Sequence, residues 1–352
     1  MLLRNIQSLI KGLCVFRGVP ISILQYRRKL KMRKSAESKR RIMAEFQPIS
    51  CEPEVRDGFR VERKAKELWN VQLELANQLR GVCERHNIKY FSIGGTCLGA
   101  VRHKGYIPWD DDMDFALMDS DFREFTKWAE KEIKYPYYFQ NMYDQNGLRM
   151  SFSRIRKSTT TYISEYEYSN YSSKDNHGIY IDIFPVYATA DSKMMRKLHM
   201  LRIKAFSPLR MGYVACRKEY NKDKAVTGKA KGKWPALWRI YCKLGGSNKK
   251  LSDGYHHALS HYMGKDTGTV GLISFKTNDE RLIWKRAWFD EVKWMEFENT
   301  TVPVPAGYDQ MLTHQFGDWH TPVMGAQRHD TIFYDVNVGY EEYFKKLHGE
   351  TK

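Results

Sequence analysis

Cysteine is scarce, and its spacing suits neither of its structural uses. The six residues, at positions 14, 51, 83, 97, 216 and 242, form no Cys-x-x-Cys pair and have no histidine partner at zinc spacing. That argues against a disulfide framework and a structural zinc site, and fits a reducing cytoplasm. Long apolar runs are lacking as well. Leu2, Leu3, Ile6, Leu9, Ile10 and Leu13 fall on one side of an amphipathic helix, but Lys11 and Arg17 interrupt the stretch. It falls short of the roughly 20 residues a membrane-spanning helix needs. No small-residue cleavage site is clear, so secretion is not expected, and no internal repeat recurs. Acidic residues are outnumbered, 41 against 58 Lys and Arg in 352 residues, for a formal net charge of +17. Such a surface attracts polyanions, whether nucleotide phosphates, anionic lipid or nucleic acid, without choosing among them. With 42% hydrophobic and 14% aromatic residues, the chain can bury one large core or two smaller ones, which excludes general disorder.

The stretch YFSIGGTCLGAVRHKGYIPWDDDMDFAL, residues 90–117, joins a strand, a glycine turn, a short helix and an aspartate cluster. Residues 88–93 are β-branched and aromatic enough for a buried strand, and Gly94, Gly95 and Thr96 break it where backbone amides can approach an anion. Thr96 is expected to cap the following helix. The chain returns through Pro108 and Trp109 into Asp110, Asp111, Asp112, Met113, Asp114 and Phe115. Alternation puts Asp112 and Asp114 on one face of a strand. Two neighbouring carboxylates on a core strand repel each other, a cost a divalent cation relieves, and hard oxygen ligands favour Mg²⁺ or Mn²⁺. Asp110 and Asp111 read equally well as an ordinary acidic loop.

GGTCLGAVRHKGYIPWDDDMDFAL resembles the signature of the LicD family of phosphotransferases, which includes the fukutin-like proteins. The resemblance resumes at HGIYIDIFPV, residues 177–186, and at FENTTVPVPAGYDQMLTHQFGDWHTP, residues 297–322, in the family's order. It spans the chain from about Trp69 to the C-terminus. It implies a nucleotidyltransferase-like fold and transfer of phosphocholine or a polyol phosphate from a CDP-linked donor to a glycan. Trp319 and His320 stand where members more often carry an aromatic followed by a small residue or methionine, a departure on the acceptor side.

Asp182, in Ile181-Asp182-Ile183-Phe184, is the third acid. With apolar neighbours on both sides it needs a partner. In nucleotidyltransferase-like sites Asp182 either coordinates the ion or takes the acceptor proton as general base, and the alternative is a salt bridge to a strand arginine. A diphosphate donor also demands positive charge. Arg102 and Lys104 follow the glycine turn, and Arg154 and Arg156 fall two apart on a strand, where the family pattern has a basic pair. Arg102 and Arg156 are the favoured phosphate ligands, because guanidinium grips phosphate bidentately. The donor-phosphate set is therefore Gly94, Gly95, Thr96, Arg102 and Arg156; the catalytic and metal set is Asp112, Asp114 and Asp182. His103 and His177 are secondary candidates for donor or acceptor contacts. Trp109 is expected beneath the aspartates, and Asp318 in a turn.

Residues 1–58 read as a basic amphipathic segment and linker, 59–190 as the nucleotidyltransferase-like core, and 191–352 as a helical, acceptor-side region. The fold class is α/β (α+β), a mixed sheet flanked by helices with a helical C-terminal part. Arg27, Arg28, Lys29, Lys31, Arg33, Lys34, Lys39, Arg40 and Arg41, opposed by Glu37 alone, supply a second weak signal for anionic lipid. From Gln47 to Gly58 the composition is that of a linker. Leu68, Val71, Leu75, Leu79 and Val82 recur at helical spacing and predict a core helix over 61–85 ending near Asn87. Ser120 is expected to cap a helix over 121–133. Later strands are expected at 137–140, 150–155 and 179–184, helices across 192–260, and a loop over 218–233. Pro303 and Pro305 exclude a central strand at their positions.

These features point to a cytoplasmic enzyme, peripheral on the inner face of the membrane. It uses Mg²⁺ or Mn²⁺ to move phosphocholine or a similar group from a CDP-linked donor such as CDP-choline to a surface glycan of lipopolysaccharide, capsule or teichoic-acid type, or to its lipid-linked precursor. A nucleotidyltransferase of the same fold is the nearest alternative. A non-enzymatic membrane- or RNA-binding protein gains nothing from three converging carboxylates, so no nucleic-acid partner is expected.

Overall fold

In the computed structural model, which describes residues 46–143, 151–164, 175–222, 233–276, 279–324 and 331–347, the expected linker is in part a hairpin. Strands β1 (Glu54–Arg56) and β2 (Phe59–Val61) pair antiparallel around Asp57 and Gly58. Both turn residues have positive φ, 49° and 75°, the geometry an Asp-Gly pair favours. The N-terminal amphipathic and basic segments lie outside the described residues, as does most of the expected loop over 218–233.

In chain order there follow α1 (Arg63–His86), β3 (Phe91–Ser92), α2 (Gly94–Arg102), β4 (Asp114–Met118), α3 (Asp119–Glu132), β5 (Tyr137–Gln140), β6 (Ser153–Lys157), β7 (Thr161–Ser164) and β8 (Ile179–Thr189). Then come the helices α4 (Lys193–Lys204), α5 (Ser207–Lys222), α6 (Lys233–Lys243) and α7 (Asn248–Leu259). The chain continues with β9 (Thr269–Gly271), β10 (Ile283–Lys285), β11 (Val292–Phe297), β12 (Thr300–Pro305), α8 (Tyr308–Phe316), β13 (Thr331–Asp335) and α9 (Tyr340–Leu347). This is the mixed α+β architecture the sequence predicts.

The apolar stripe of α1 is buried throughout, from Leu68 to Val82, and packs on β6, β8 and α3. Asn87 ends the helix in the left-handed conformation at φ 54°, a role its short polar side chain tolerates. The central sheet runs β10-β9-β8-β4-β3, with β6 also on β8 and β5 on β6. Strand β8 is its keel. It pairs parallel with β4 and antiparallel with β6 and β9. Of its eleven residues all but Tyr180 and Asp182 are buried, so it opens from the core at those two positions, on one face. A second, smaller core gathers Tyr187, Met200, Ile203, Leu251, Tyr255, Ala258, Leu259 and Ile273, with α4 and α7 as its helical contributors.

Several local expectations change. The strand before the glycine turn shortens to Phe91–Ser92. Helix α3 starts at Asp119, with Met118 preceding it and no side-chain cap, so Ser120 lies inside the first turn. Pro303 and Pro305 sit in a two-stranded hairpin opposite Trp294 and Val292, outside the central sheet, as proline requires.

Candidate active site

Asp114 opens β4 and lies in register with Asp182 of the parallel β8. Partners in a parallel pair present their side chains to the same face, so acids far apart in sequence meet here. The strand begins only at Asp114; Asp112 lies in the preceding segment rather than on the strand, so its place comes from the loop and not from alternation. Asp112, Asp182 and Asp110 all act on Asp114: burial first, then these three charges in that order, push its carboxyl well above the usual carboxylate range, with Arg154 opposing them.

Side chains of α1 hold the aspartate loop by its backbone. Trp69 Nε1 donates to the Asp110 carbonyl at 3.0 Å, and Gln72 Nε2 to the Asp111 carbonyl at 2.7 Å. Tyr106 stacks on Trp69, ring centroids 4.5 Å apart, and its hydroxyl donates to Gln72 Oε1 at 3.2 Å. The helical stripe predicts a core helix, which α1 is; it does not reveal that the same helix positions the acids. Trp109 is half-buried and packs edge-on against Phe59.

The glycine turn meets this loop directly. Helix α2 begins at Gly94, whose φ of +56° is strained for any residue with a Cβ. A Cβ on Gly94 would stand 3.3 Å from Asp114 Oδ2, and one on Gly95 would collide with Asp110 Oδ2. The first turn of α2 therefore faces Asp110 and Asp114 across space that only glycine leaves open. Thr96 does not cap the helix. Its Oγ1 accepts from the Asp114 N–H at 2.8 Å, so it fixes the first strand residue, and its hydroxyl hydrogen is still a donor.

The two favoured arginines are engaged elsewhere. Arg102 ends α2, roughly 12 Å of helix from Gly94. Its Nη1 donates to the Trp319 carbonyl at 2.7 Å and its Nε to His103 Nε2 at 2.8 Å. Arg156 shares a sheet face with Asp182 but is 1% exposed, donating to Gln140 Oε1 at 2.8 Å and the Gly178 carbonyl at 2.9 Å. Both act as braces in this arrangement. Arg154, the unfavoured member of the pair, lies opposite Asp182 in the β6–β8 register and donates Nε–H to Asp182 Oδ1 at 2.7 Å. Its guanidinium lies over Tyr180 at 3.7 Å from the ring centroid. This is the salt bridge the sequence left as an alternative for Asp182. Asp110 and Arg154 are thus the charged residues that sequence reasoning undervalued. His103 pairs with Asp57 at 2.7 Å, His177 is buried beside Phe344, and Asp318 accepts from the His320 N–H and the Thr321 hydroxyl in the expected turn.

The C-terminal block enters through Glu298, at the turn between β11 and β12. Its carboxylate takes Nη1 and Nη2 of Arg56, at 2.5 and 2.9 Å, and the Tyr106 N–H at 3.0 Å. It therefore clamps the loop between α2 and the aspartates. A pocket of about 460 Å³ is lined by the acids Glu62, Glu67 and Asp335, the cations Arg63 and Lys64, and the rings of Phe333 and Tyr334, among others. The Lys64 ammonium lies over Tyr334 at 4.6 Å and Phe333 at 5.7 Å. Burial, with Asp111 and Glu67 nearby, pushes the Tyr334 phenol up to about 12.

Among the described residues no three His, Cys, Asp or Glu side chains converge as a ready metal cage. The donor chemistry nevertheless fits a hard divalent cation: the acids around Asp114 are oxygen donors alone, and their charges burden a carboxyl that burial already disfavours as an anion.

The mixed sheet thus pairs an acid at the start of one strand with an acid in the middle of its parallel neighbour. Residues 87–210 match the family described as LicD/FKTN/FKRP, nucleotidyltransferase domain, and form a LicD-family domain. The lipopolysaccharide cholinephosphotransferase LicD of Haemophilus influenzae is 22% identical over 253 residues, 71% of this chain and 88% of that protein. An uncharacterized protein of Rickettsia prowazekii is 37% identical over 78 residues, 22% of this chain and 28% of the relative. One from Rickettsia typhi is 43% identical over 60 residues, 17% and 18% of the two chains.

Proposed function

We propose that the protein is a phosphotransferase that moves a substituted phosphate, phosphocholine or a close analogue, from a CDP-linked donor to a sugar hydroxyl of a surface glycan or its lipid-linked precursor. The reading rests on the meeting of Asp114 and Asp182 across parallel strands, with Asp110 and Asp112 beside them, at the glycine-lined start of α2. The related cholinephosphotransferase supports the choice of substituent.

In this reading Asp112 and Asp114 hold Mg²⁺ or Mn²⁺, which offsets charge on the donor diphosphate. Gly94 and Gly95 leave room for that diphosphate to approach the backbone amides of α2. Asp182, oriented by Arg154, either completes the ligand set or accepts the acceptor hydroxyl's proton. A quaternary ammonium head group could use the Phe333 and Tyr334 rings only by displacing the Lys64 ammonium that covers them. The enzyme works as a peripheral protein on the cytoplasmic face of the membrane, where lipid-linked acceptors are available.

Donor labelled separately in the substituent and in the nucleotide tests the reading. Label from the substituent should enter the glycan while CMP is released. Nucleotide label in the glycan would instead make the protein a nucleotidyltransferase.

A further inference from the structure

We propose that the outer face of α4 is a docking surface for an anionic lipid membrane. The helix is anchored by its inner face. Arg196 turns inward to Glu280 at 3.0 Å and to the Ala190 carbonyl at 3.0 Å, His199 Nε2 meets the Ala258 carbonyl at 2.8 Å, and Met200 and Ile203 are buried. A well-anchored apolar inner face is sufficient for folding. Yet the outer face carries a second apolar stripe: Met194, Leu198 and Leu201 are 68%, 53% and 62% exposed. At 100° per residue these three lie within about 60° of arc. The cost of leaving so much apolar surface in water is what an external partner would relieve.

Charge identifies that partner. Lys193, Lys197 and Arg202 are exposed along the same helix and Lys204 is half-buried, while α4 contains no Asp or Glu. The asymmetry extends beyond it. Residues 193–250 hold 17 Lys and Arg against Glu219 and Asp223 alone, and residues 1–45 hold 12 against Glu37 and Glu45. The remainder of the chain, which includes the aspartate site, carries 29 Lys and Arg against 37 Asp and Glu. The basic excess is thus confined to two segments, and the rest is net acidic. A nucleic-acid surface has no use for a Met/Leu stripe, and an apolar protein partner has none for a lysine fringe. The two together are what a helix lying in the plane of an anionic interface needs: side chains that enter the acyl boundary, and lysines whose stems reach back to phosphate headgroups. Exposed Trp234 and Ile240 on α6, with Leu244 just after it, repeat the composition.

This deepens the membrane element of the proposed function by naming the surface, and its test needs no turnover, so its failure and that of the transfer reaction are separable. The full chain and two variants, L198Q/L201Q and K193Q/K197Q, are co-sedimented with phosphatidylcholine vesicles with and without phosphatidylglycerol, at low and high salt. Far-UV circular dichroism and activity on a water-soluble acceptor should stay at the parent level, because all four positions are exposed. The parent should prefer anionic vesicles. The leucine pair should weaken binding at least about tenfold while keeping its salt dependence. The lysine pair should weaken it at least about tenfold at low salt, with a smaller difference from the parent at high salt. Parental affinity in both variants would overturn the proposal and leave any vesicle binding to the N-terminal segment. A parent dimer that L198Q/L201Q converts to monomer, with vesicle binding unchanged, would overturn it in favour of a second copy.

Discussion

Arg154 reaches across from β6 to place its Nε 2.7 Å from Asp182 Oδ1, and the same Asp182 lies in register with Asp114 on the other side. The middle residue of three neighbouring strands thus carries a cation on one flank and an acid on the other. Asp182 is held in place before any substrate arrives, and the arginine is also the only cation among the largest influences on Asp114.

Arg154→Met should therefore lower the thermal stability of the cation-free protein by about 2–4 kcal/mol, since it takes the charged hydrogen bond of Arg154 away from a partly buried carboxylate. Mg²⁺ should recover more stability in this variant than in the parent. Adding Asp182→Asn should cost less than the sum of the single changes. Additive losses, read from melting temperatures with and without Mg²⁺, would mean that the pair is not coupled.

Asp114→Asn removes a carboxyl whose ionised form burial and three acidic neighbours disfavour. The variant should keep or exceed the parent's melting temperature without cation, bind Mn²⁺ at least about tenfold more weakly, and lose metal-dependent transfer. Asp112→Ala should lose transfer in the same way. Calorimetric Mn²⁺ titration and product assays measure both, and full activity in either variant would remove the aspartates from the site.

Two glycines of α2 separate binding from folding. A Cβ on Gly95 meets the Asp110 carboxylate, whereas one on Gly99 meets the Gly105 backbone carbonyl. Gly95→Ala should raise the donor KM several-fold more than the acceptor KM with little loss of stability. Gly99→Ala should chiefly lower the melting temperature, because backbone cannot rotate away. Equal effects of Gly95→Ala on both KM values would indicate general distortion.

His256, on α7, has neither ring nitrogen hydrogen-bonded. Burial first, then Arg123 and Arg210, depress its pKa to about 4. A histidine neutral in the fold and protonated at about 6.5 when unfolded stabilises fully above that value, and the contribution is lost as pH falls toward 4. Unfolding free energy should drop by about 2–3 kcal/mol over that window on this account. His256→Phe should flatten the dependence, as denaturant titrations at pH 7 and 4.5 would measure.

What the sequence made legible was whatever depended on short-range pattern. The stripe from Leu68 to Val82 placed α1 within two residues, Asn87 marked its end, and residues 137–140 read correctly as a strand. The register of β4 on β8 has no local signature, yet it alone decides that Asp114 meets Asp182. The same limitation explains the arginines: Arg154 and Arg156 share a strand face, and only the tertiary neighbours Gln140 and Gly178 reveal that Arg156 is the buried one. Asp57-Gly58 is a hairpin dipeptide that the linker reading of residues 47–58 passed over. Asp110 read as loop because nothing local indicates that the bare backbone of Gly95 comes to rest against its carboxylate.

The Arg56–Glu298 clamp joins residues 242 positions apart, and Glu298 also holds the loop that leads to the aspartates. During synthesis every acid of the site leaves the ribosome long before Glu298 does. A nascent chain halted after β10 has its full set of carboxylates without the clamp that steadies their approach loop. The clamp on the approach loop is therefore added only after the hairpin carrying Glu298 has been made.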